Sequence, residues 1–211
     1  MDGDLGRAAI LHALAQHLEI TAVALVIAVL IGIPLGIHIA RERFLAGPVL
    51  ATVSAIQTIP SLALLGFLIP ILGIGARPAI VALFLYALLP IVRNTHAALA
   101  RVDPAAVDAA RGMGMREAQI LRYVTLPQAL PVIMAGVRTA TVFSVGVATL
   151  AALVGAGGLG TFIFRGIAMV NSRMVLAGAI PTALLALSLD GALALLERVL
   201  TPRGLREERP S

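Results

Sequence analysis

Cysteine, tryptophan and lysine are all missing from this 211-residue chain, and only 13% of its residues are charged. Without cysteine there are no disulfides, no thiolate metal sites and no cysteine nucleophile. Without lysine there is no Gly-rich loop ending in Gly-Lys-Ser or Gly-Lys-Thr to cradle nucleotide phosphates. The four histidines, His12, His17, His38 and His96, are scattered without a metal-ligand spacing. No nucleophile and base, and no paired carboxylates, recur on one face, so neither a metal nor a catalytic site is expected. The scarcity of charge excludes most, because soluble domains carry about a quarter of their residues as Asp, Glu, Lys and Arg. Here 59% are apolar and the mean hydropathy is +0.99. A water-soluble fold of this length has too little interior to hide that much apolar surface, so the chain is read as an all-α membrane protein.

The net charge of +5 comes entirely from arginine. A nucleic-acid binder would gather such charge on a polar face, with stacking aromatics beside it. Aromatics are only 4% of this chain, and its arginines lie between long apolar runs. The first of those runs begins near Leu18, after Asp2, Asp4, Arg7, His12 and His17, which lacks the basic start and small-residue cleavage site of a signal peptide. It is therefore expected to remain as a membrane span.

Crossing the hydrocarbon takes ~20 apolar residues in a helix. Five stretches qualify: about Leu18 to Ala40, Pro48 to Gly73, Pro78 to Val92 (extendable toward Ala100), Ala129 to Val154, and Met174 to Leu195. If Pro60 divides the second stretch, the count becomes six. With five spans and the N-terminus outside, the inside segments hold Arg41, Arg43, Arg93, Arg101, Arg111, Arg116, Arg122, Arg198, Arg203, Arg206 and Arg209. The outside segments hold Arg7, Arg77, Arg165 and Arg173, and Arg138 falls inside the fourth span. Such an excess follows the positive-inside rule and puts the C-terminus and the long polar interval from Arg93 to Pro127 in the cytoplasm.

That interval carries the most specific pattern. Asp103-Pro104 reads as a helix start, with Asp as N-cap and Pro at the first helical position. Small, helix-favouring residues continue to Arg111, Gly112 and Gly114 interrupt, and a second short helix fits Arg116 to Tyr123, with Pro127 ending the unit. By pattern alone this is either an ordinary amphipathic loop or a rigid knob that another protein grips.

Asp108-Ala109-Ala110, Gly114, and Val124-Thr125-Leu126-Pro127 resemble the EAA motif of binding-protein-dependent ABC importer permeases. That motif is Glu-Ala-Ala, three residues, Gly, nine residues, then Ile-x-Leu-Pro. Asp stands for Glu and Val for Ile, with the spacing intact. Gln57-Thr58-Ile59-Pro60-Ser61-Leu62-Ala63-Leu64-Leu65-Gly66, the run from Ala148 through Gly155-Ala156-Gly157-Gly158-Leu159-Gly160, and Leu189-Asp190 look like permeases that import glycine betaine, choline, carnitine or similar osmoprotectants. Many relatives have Arg after that Asp, whereas here Gly191 follows.

The resemblance covers nearly the whole chain and implies a type I importer fold, with residues 1–211 as one permease domain and 101–127 as its cytoplasmic coupling loop. It implies a second permease, identical or homologous, two cytoplasmic ATPase subunits that use ATP and Mg, and an extracytoplasmic substrate-binding protein. Asp108, Ala109, Ala110, Gly114, Leu126 and Pro127 would couple to the ATPase. This chain itself is not expected to be an enzyme. Rival readings are a permease of the same fold for an amino acid, a sulfonate or a metal chelate, and a membrane assembly protein without transport.

Polar residues within spans are costly in lipid and so mark a pathway. Arg138 and Asp190 either pair between the fourth and fifth spans or, for Arg138, snorkel toward the headgroups. Gln57 and Thr58 before Pro60 mark either a broken helix whose freed backbone lines a cavity or a simple kink. Gly155, Gly157, Gly158 and Gly160 form an external gate, a contact for the binding protein, or an inert turn, with a short helix expected over Thr161 to Met169. Quaternary ammonium groups favour aromatic cages, yet the only tyrosines are Tyr86 and Tyr123. Selectivity is therefore expected to reside in the binding protein.

Overall fold

The computed structural model describes residues 6–201; Asp2, Asp4, Arg203, Arg206 and Arg209 lie outside them. No strand occurs among the described residues. The helices are α1 (Arg7–Arg41), α2 (Arg43–Thr58), α3 (Ser61–Leu72), α4 (Ala76–Ala100), α5 (Pro104–Gly112), α6 (Glu117–Ile120), α7 (Leu126–Val147), α8 (Gly160–Ala168) and α9 (Ser172–Leu200). A π-helical turn, Leu121–Thr125, joins α6 to α7, and a 3-10 stretch, Ala148–Val154, extends α7.

The core is a sheet-like row of α1, α4 and α7, held close by small residues. On α1 the buried positions His17, Thr21, Ala24, Ala28, Gly32 and Gly36 form one stripe at helical spacing. It lies on Ala79, Ala82, Ala87, Ile91 and Thr95 of α4. A Cβ on Gly32 would lie 2.8 Å from Ile91 Cγ2, and one on Gly136 of α7 would lie 2.6 Å from Asn94 Cβ and 2.8 Å from the Pro90 carbonyl of α4. With lipid as apolar as leucine, close approach of small residues is what drives such helices together. The outward faces are large and apolar: Val26, Leu30, Phe67, Ile71 and Val199 are all more than half exposed.

Four helical runs, Arg7–Arg41, Ala76–Ala100, Glu117–Val154 and Ser172–Leu200, are long and apolar enough to cross a membrane. The second expected span is not one straight helix, because α2 and α3 are bent by 95° at Ile59-Pro60. Proline lacks a backbone donor and forces the preceding residue into extended conformation, and Ile59 is extended. Neither half reaches across ~30 Å alone, since 16 and 12 residues rise about 24 and 18 Å. The count among the described residues is therefore four spans, or five with α2 and α3 taken together as one bent span, and the six-span alternative finds no support. α2 and α3 carry the chain from Arg43, beside the end of α1, to Gly75, whose N–H donates to the Val154 carbonyl at 2.8 Å.

A second difference concerns Pro127. It does not end the unit begun at Arg116; the helical path runs on from Glu117 to Val154. Pro127 sits in the first turn of α7, and the wider π turn just before it accommodates the missing donor.

The packing makes a direct prediction. Gly136→Ala places a methyl against backbone and should destabilise the solubilised protein by about 1–3 kcal/mol. Gly66→Ala, with nothing within 4 Å of the new methyl, should be neutral or stabilising by up to about 1 kcal/mol. The fraction surviving heating in detergent, read by size-exclusion chromatography, measures both.

Candidate functional site

Two arrangements stand out, a double-helix loop at one end of the bundle and an ion pair inside it. In the loop, Asp103 Oδ1 accepts from Ala105 N at 2.9 Å and starts α5. At its other end, Gly114 N donates to Arg111 O (2.9 Å) and Met115 N to Ala110 O (3.1 Å). This paired pattern is a Schellman stop, which needs a left-handed residue at the position of Gly114; its φ is +79°. Arg111 then ties the two helices together, its Nε donating to Glu117 Oε1 at 3.0 Å and Nη1 to Asp108 Oδ1 at 3.5 Å. All three side chains are over half exposed, so these bonds orient the loop while adding little to stability.

The Ala109-Ala110 pair is split by this geometry. Ala110 is buried beneath α5, while Asp108, Ala109, Gly112, Met113 and Gly114 are exposed. Leu126 and Pro127 are half-buried at the start of α7, and the underside of the loop meets Ile37 and Arg41 of α1 and Leu99 of α4 across a hollow of about 130 Å³. The outward surface therefore exposes the small residues Ala109, Gly112 and Gly114, together with two large side chains, Met113 (75% exposed) and Tyr123 (62%).

Within the bundle, Arg138 of α7 and Asp190 of α9 form a bidentate pair, Nε to Oδ1 at 2.8 Å and Nη2 to Oδ2 at 2.9 Å. Arg138 Nη1 also donates to Glu197 Oε2 at 3.3 Å. Glu197 was not singled out by sequence reading, although it lies seven residues beyond Asp190, two turns along the same face. The guanidinium thus faces protein, and snorkelling does not describe it.

Gln57, Thr58 and Pro60 occupy a different place. Gln57 Nε2 donates to the Tyr86 carbonyl at 3.4 Å, Thr58 Oγ1 to Ala55 O of its own helix at 2.7 Å, and Tyr86 Oη to the freed Ile59 carbonyl at 2.6 Å. The broken helix is real, but Tyr86 satisfies its carbonyl where a lined cavity was one expectation. The neighbouring void, beside Ser61, Leu65 and Tyr86, is only about 10 Å³. Tyr86 also meets Phe143 of α7 edge to face, with centroids 6.3 Å apart, linking the break to the helix that carries Arg138.

At the opposite end from the 101–127 loop, Gly155, Gly157 and Gly158 all have positive φ. Gly158 N donates to Gln16 Oε1 at 3.2 Å, and the neighbouring His17 Nε2 donates to Val145 O at 3.0 Å. Gly160 begins α8, packed so closely on the Thr149 backbone that a side chain has no room. The short helix expected after this turn is α8. The glycine segment is thus anchored on α1, and no group of three or more His, Asp or Glu side chains fit to hold a metal occurs among the described residues.

The geometry is a multi-pass helical bundle with a bent helix pair, an Arg138–Asp190 pair between α7 and α9 and a two-helix loop at one end, and sequence likeness assigns it to the membrane transport permeases. Residues 14–201 match the family described as binding-protein-dependent transport system inner membrane component, and the chain belongs to that family. It is a multi-pass inner-membrane component of an ABC transport system. It is 50% identical over 196 residues to the osmoprotectant import permease protein OsmW of Salmonella typhimurium, covering 90% of this chain and 91% of that one. It is 44% identical to the choline transport system permease protein OpuBB of Bacillus subtilis, covering 93% and 91%. Among solved structures, the MetNI methionine ABC transporter in inward-facing conformations superposes with a TM-score of 0.82 at 27% identity, over 92% of this chain and 96% of that one. The fold is that of a type I importer permease.

The ion pair yields an asymmetric prediction. Asp190→Leu leaves Arg138 with Glu197, whereas Arg138→Leu leaves Asp190 without its cation. Arg138→Leu should therefore cost more, about 2 kcal/mol after allowing for the third of each side chain that is exposed. The double replacement should recover part of that loss. Equal and additive losses in detergent thermal melts would argue against the pairing.

Proposed function

We propose that this chain is the permease subunit of an ATP-driven importer for quaternary-ammonium osmoprotectants such as glycine betaine, choline or carnitine. The observation that carries it is identity of 43–50% over nine-tenths of the chain to permeases named for osmoprotectants, choline, and glycine betaine, carnitine and choline together. Likeness to the methionine transporter is lower in identity and supports the fold.

In this reading a soluble binding protein delivers the solute outside, and ATP with Mg is hydrolysed in separate cytoplasmic ATPase subunits, so the chain is no enzyme by itself. The N-terminus lies outside and the C-terminus inside. Arg41, Arg101, Arg111, Arg116 and Arg122 cluster around the loop end of the bundle, while Arg7, Arg77, Arg165 and Arg173 belong to the other end, as positive-inside topology requires. Residues 101–127 serve as the coupling loop: the exposed backbone around Ala109 and Gly114 allows close approach of an ATPase groove, and Leu126 and Pro127 join the loop to α7. Gln57, Thr58, Pro60, Arg138 and Asp190 belong to the machinery of the pathway, the first three by holding the break and the last two by facing the solute. Gly155, Gly157, Gly158 and Gly160 form the outer gate.

Uptake of radiolabelled glycine betaine, choline and an unrelated amino acid by vesicles holding the reconstituted complex tests the substrate class. Saturable, ATP-dependent uptake of the amines is expected, and uptake of the amino acid alone would transfer the chain to the rival class. For the loop, Gly114→Val puts a β-branched residue at a left-handed φ. It should insert normally yet abolish substrate-stimulated ATP hydrolysis, and normal transport by this variant would defeat the assignment.

A further inference from the structure

A groove of about 650 Å³ runs between α7 and α9, walled by Arg138, Thr139 and Phe143 on one side and Ala186, Leu187 and Asp190 on the other. The Arg138 and Asp190 side chains are 30% and 32% exposed into it. Charges near the middle of a span do not face hydrocarbon, so this groove opens toward water or a second subunit, unlike the leucine-lined outer faces.

Its chemistry is that of one guanidinium held between two carboxylates, Asp190 in the groove wall and the more buried Glu197 behind it. A cation and an anion sit side by side, and Phe143, five residues along α7 from Arg138 and so about 7.5 Å further along the axis, presents a ring that is 44% exposed. The edge-to-face contact with Tyr86 holds that ring in place. A zwitterion entering the groove can place its carboxylate on the guanidinium and its cation on Asp190, turning one ion pair into two without moving net charge into the membrane. A quaternary ammonium has no N–H to donate, so it is held by charge and by an aromatic face rather than by hydrogen bonds. A plain cation engages Asp190 only by drawing it from Arg138, and a plain anion does the reverse.

We infer that the α7–α9 groove is a transient site for a zwitterionic quaternary amine, with its carboxylate on Arg138 and its ammonium between Asp190 and the Phe143 ring. This rests on the import reading above, and the experiment separates the two. Because the chain has no cysteine, Thr139→Cys and Ala186→Cys each give a single reporter on this chain in the groove. The permease–ATPase complex is placed in nanodiscs without its binding protein and labelled with a water-soluble maleimide. Labelling should occur at both positions, slow several-fold with saturating glycine betaine, and respond much less to choline. Phe143→Leu should raise the glycine betaine concentration for half protection about tenfold, and Phe143→Tyr should restore it. A complex that imports glycine betaine but whose labelling ignores it, or is absent at both positions, overturns the groove site and leaves the import reading standing. Equal protection by choline and glycine betaine also overturns it. A complex that imports none of these amines overturns the import reading first.

Discussion

No water reaches the hydrocarbon interior, so each backbone N–H or carbonyl released by an irregular helix has to find its partner within the protein. That single constraint accounts for where Tyr86, His17 and Gln16 place their polar atoms. At the Pro60 break the freed Ile59 carbonyl is met by the Tyr86 hydroxyl. Where α7 tightens into a 3-10 stretch, the Val145 carbonyl is met by His17. The glycine turn that follows leaves the Gly158 N–H for Gln16, and the end of that stretch returns its Val154 carbonyl to Gly75. Adjacent residues of α1, Gln16 and His17, thereby secure the end of α7 and the glycine turn beyond it, so a helix that reads as an ordinary membrane span also braces the end of the bundle opposite the 101–127 loop.

The same constraint marks what was legible in the sequence. Long apolar runs and the arginine distribution gave the crossings, because both report directly on the bilayer. The loop over 101–127 was legible from Asp103-Pro104 and the Gly114 stop, whose conformational demands are local. The Arg138 and Asp190 partnership was one of two open readings, since two opposite charges in apolar runs have few other places to go.

Other features depend on long-range contacts and were not legible. That Pro60 bends the chain by 95° instead of kinking it depends on Tyr86, 26 residues away in the chain, being there to receive the carbonyl. Pro127 reads as a terminator by local rules, yet the π turn ahead of it lets the helix continue. Glu197 looks like an ordinary charge near a helix end until α7 is packed against α9. Phe143 is one apolar residue among many until Tyr86 fixes its ring and the groove exposes it.

Helical continuity from Glu117 to Val154 ties these parts into one mechanical element. Its first turn receives the Arg111 tether from α5, its middle carries Arg138 and Phe143, and its end runs into the glycine turn. Hydrogen-bonded helix is stiff along its axis, so within α7 a displacement of its first turn would be carried on to the ion pair. The soft points are the π turn at Leu121–Thr125 and the 3-10 stretch, where the hydrogen-bond ladder changes register. These bracket α7 rather than interrupt it, leaving Leu126–Val147 as one continuous helix. Asp190 is held across the α7–α9 interface by a bidentate bond that specifies angle as well as distance. A solute seated in the groove as inferred above would take over half of that bond, which would link occupancy to α7 and, through it, to the 101–127 loop.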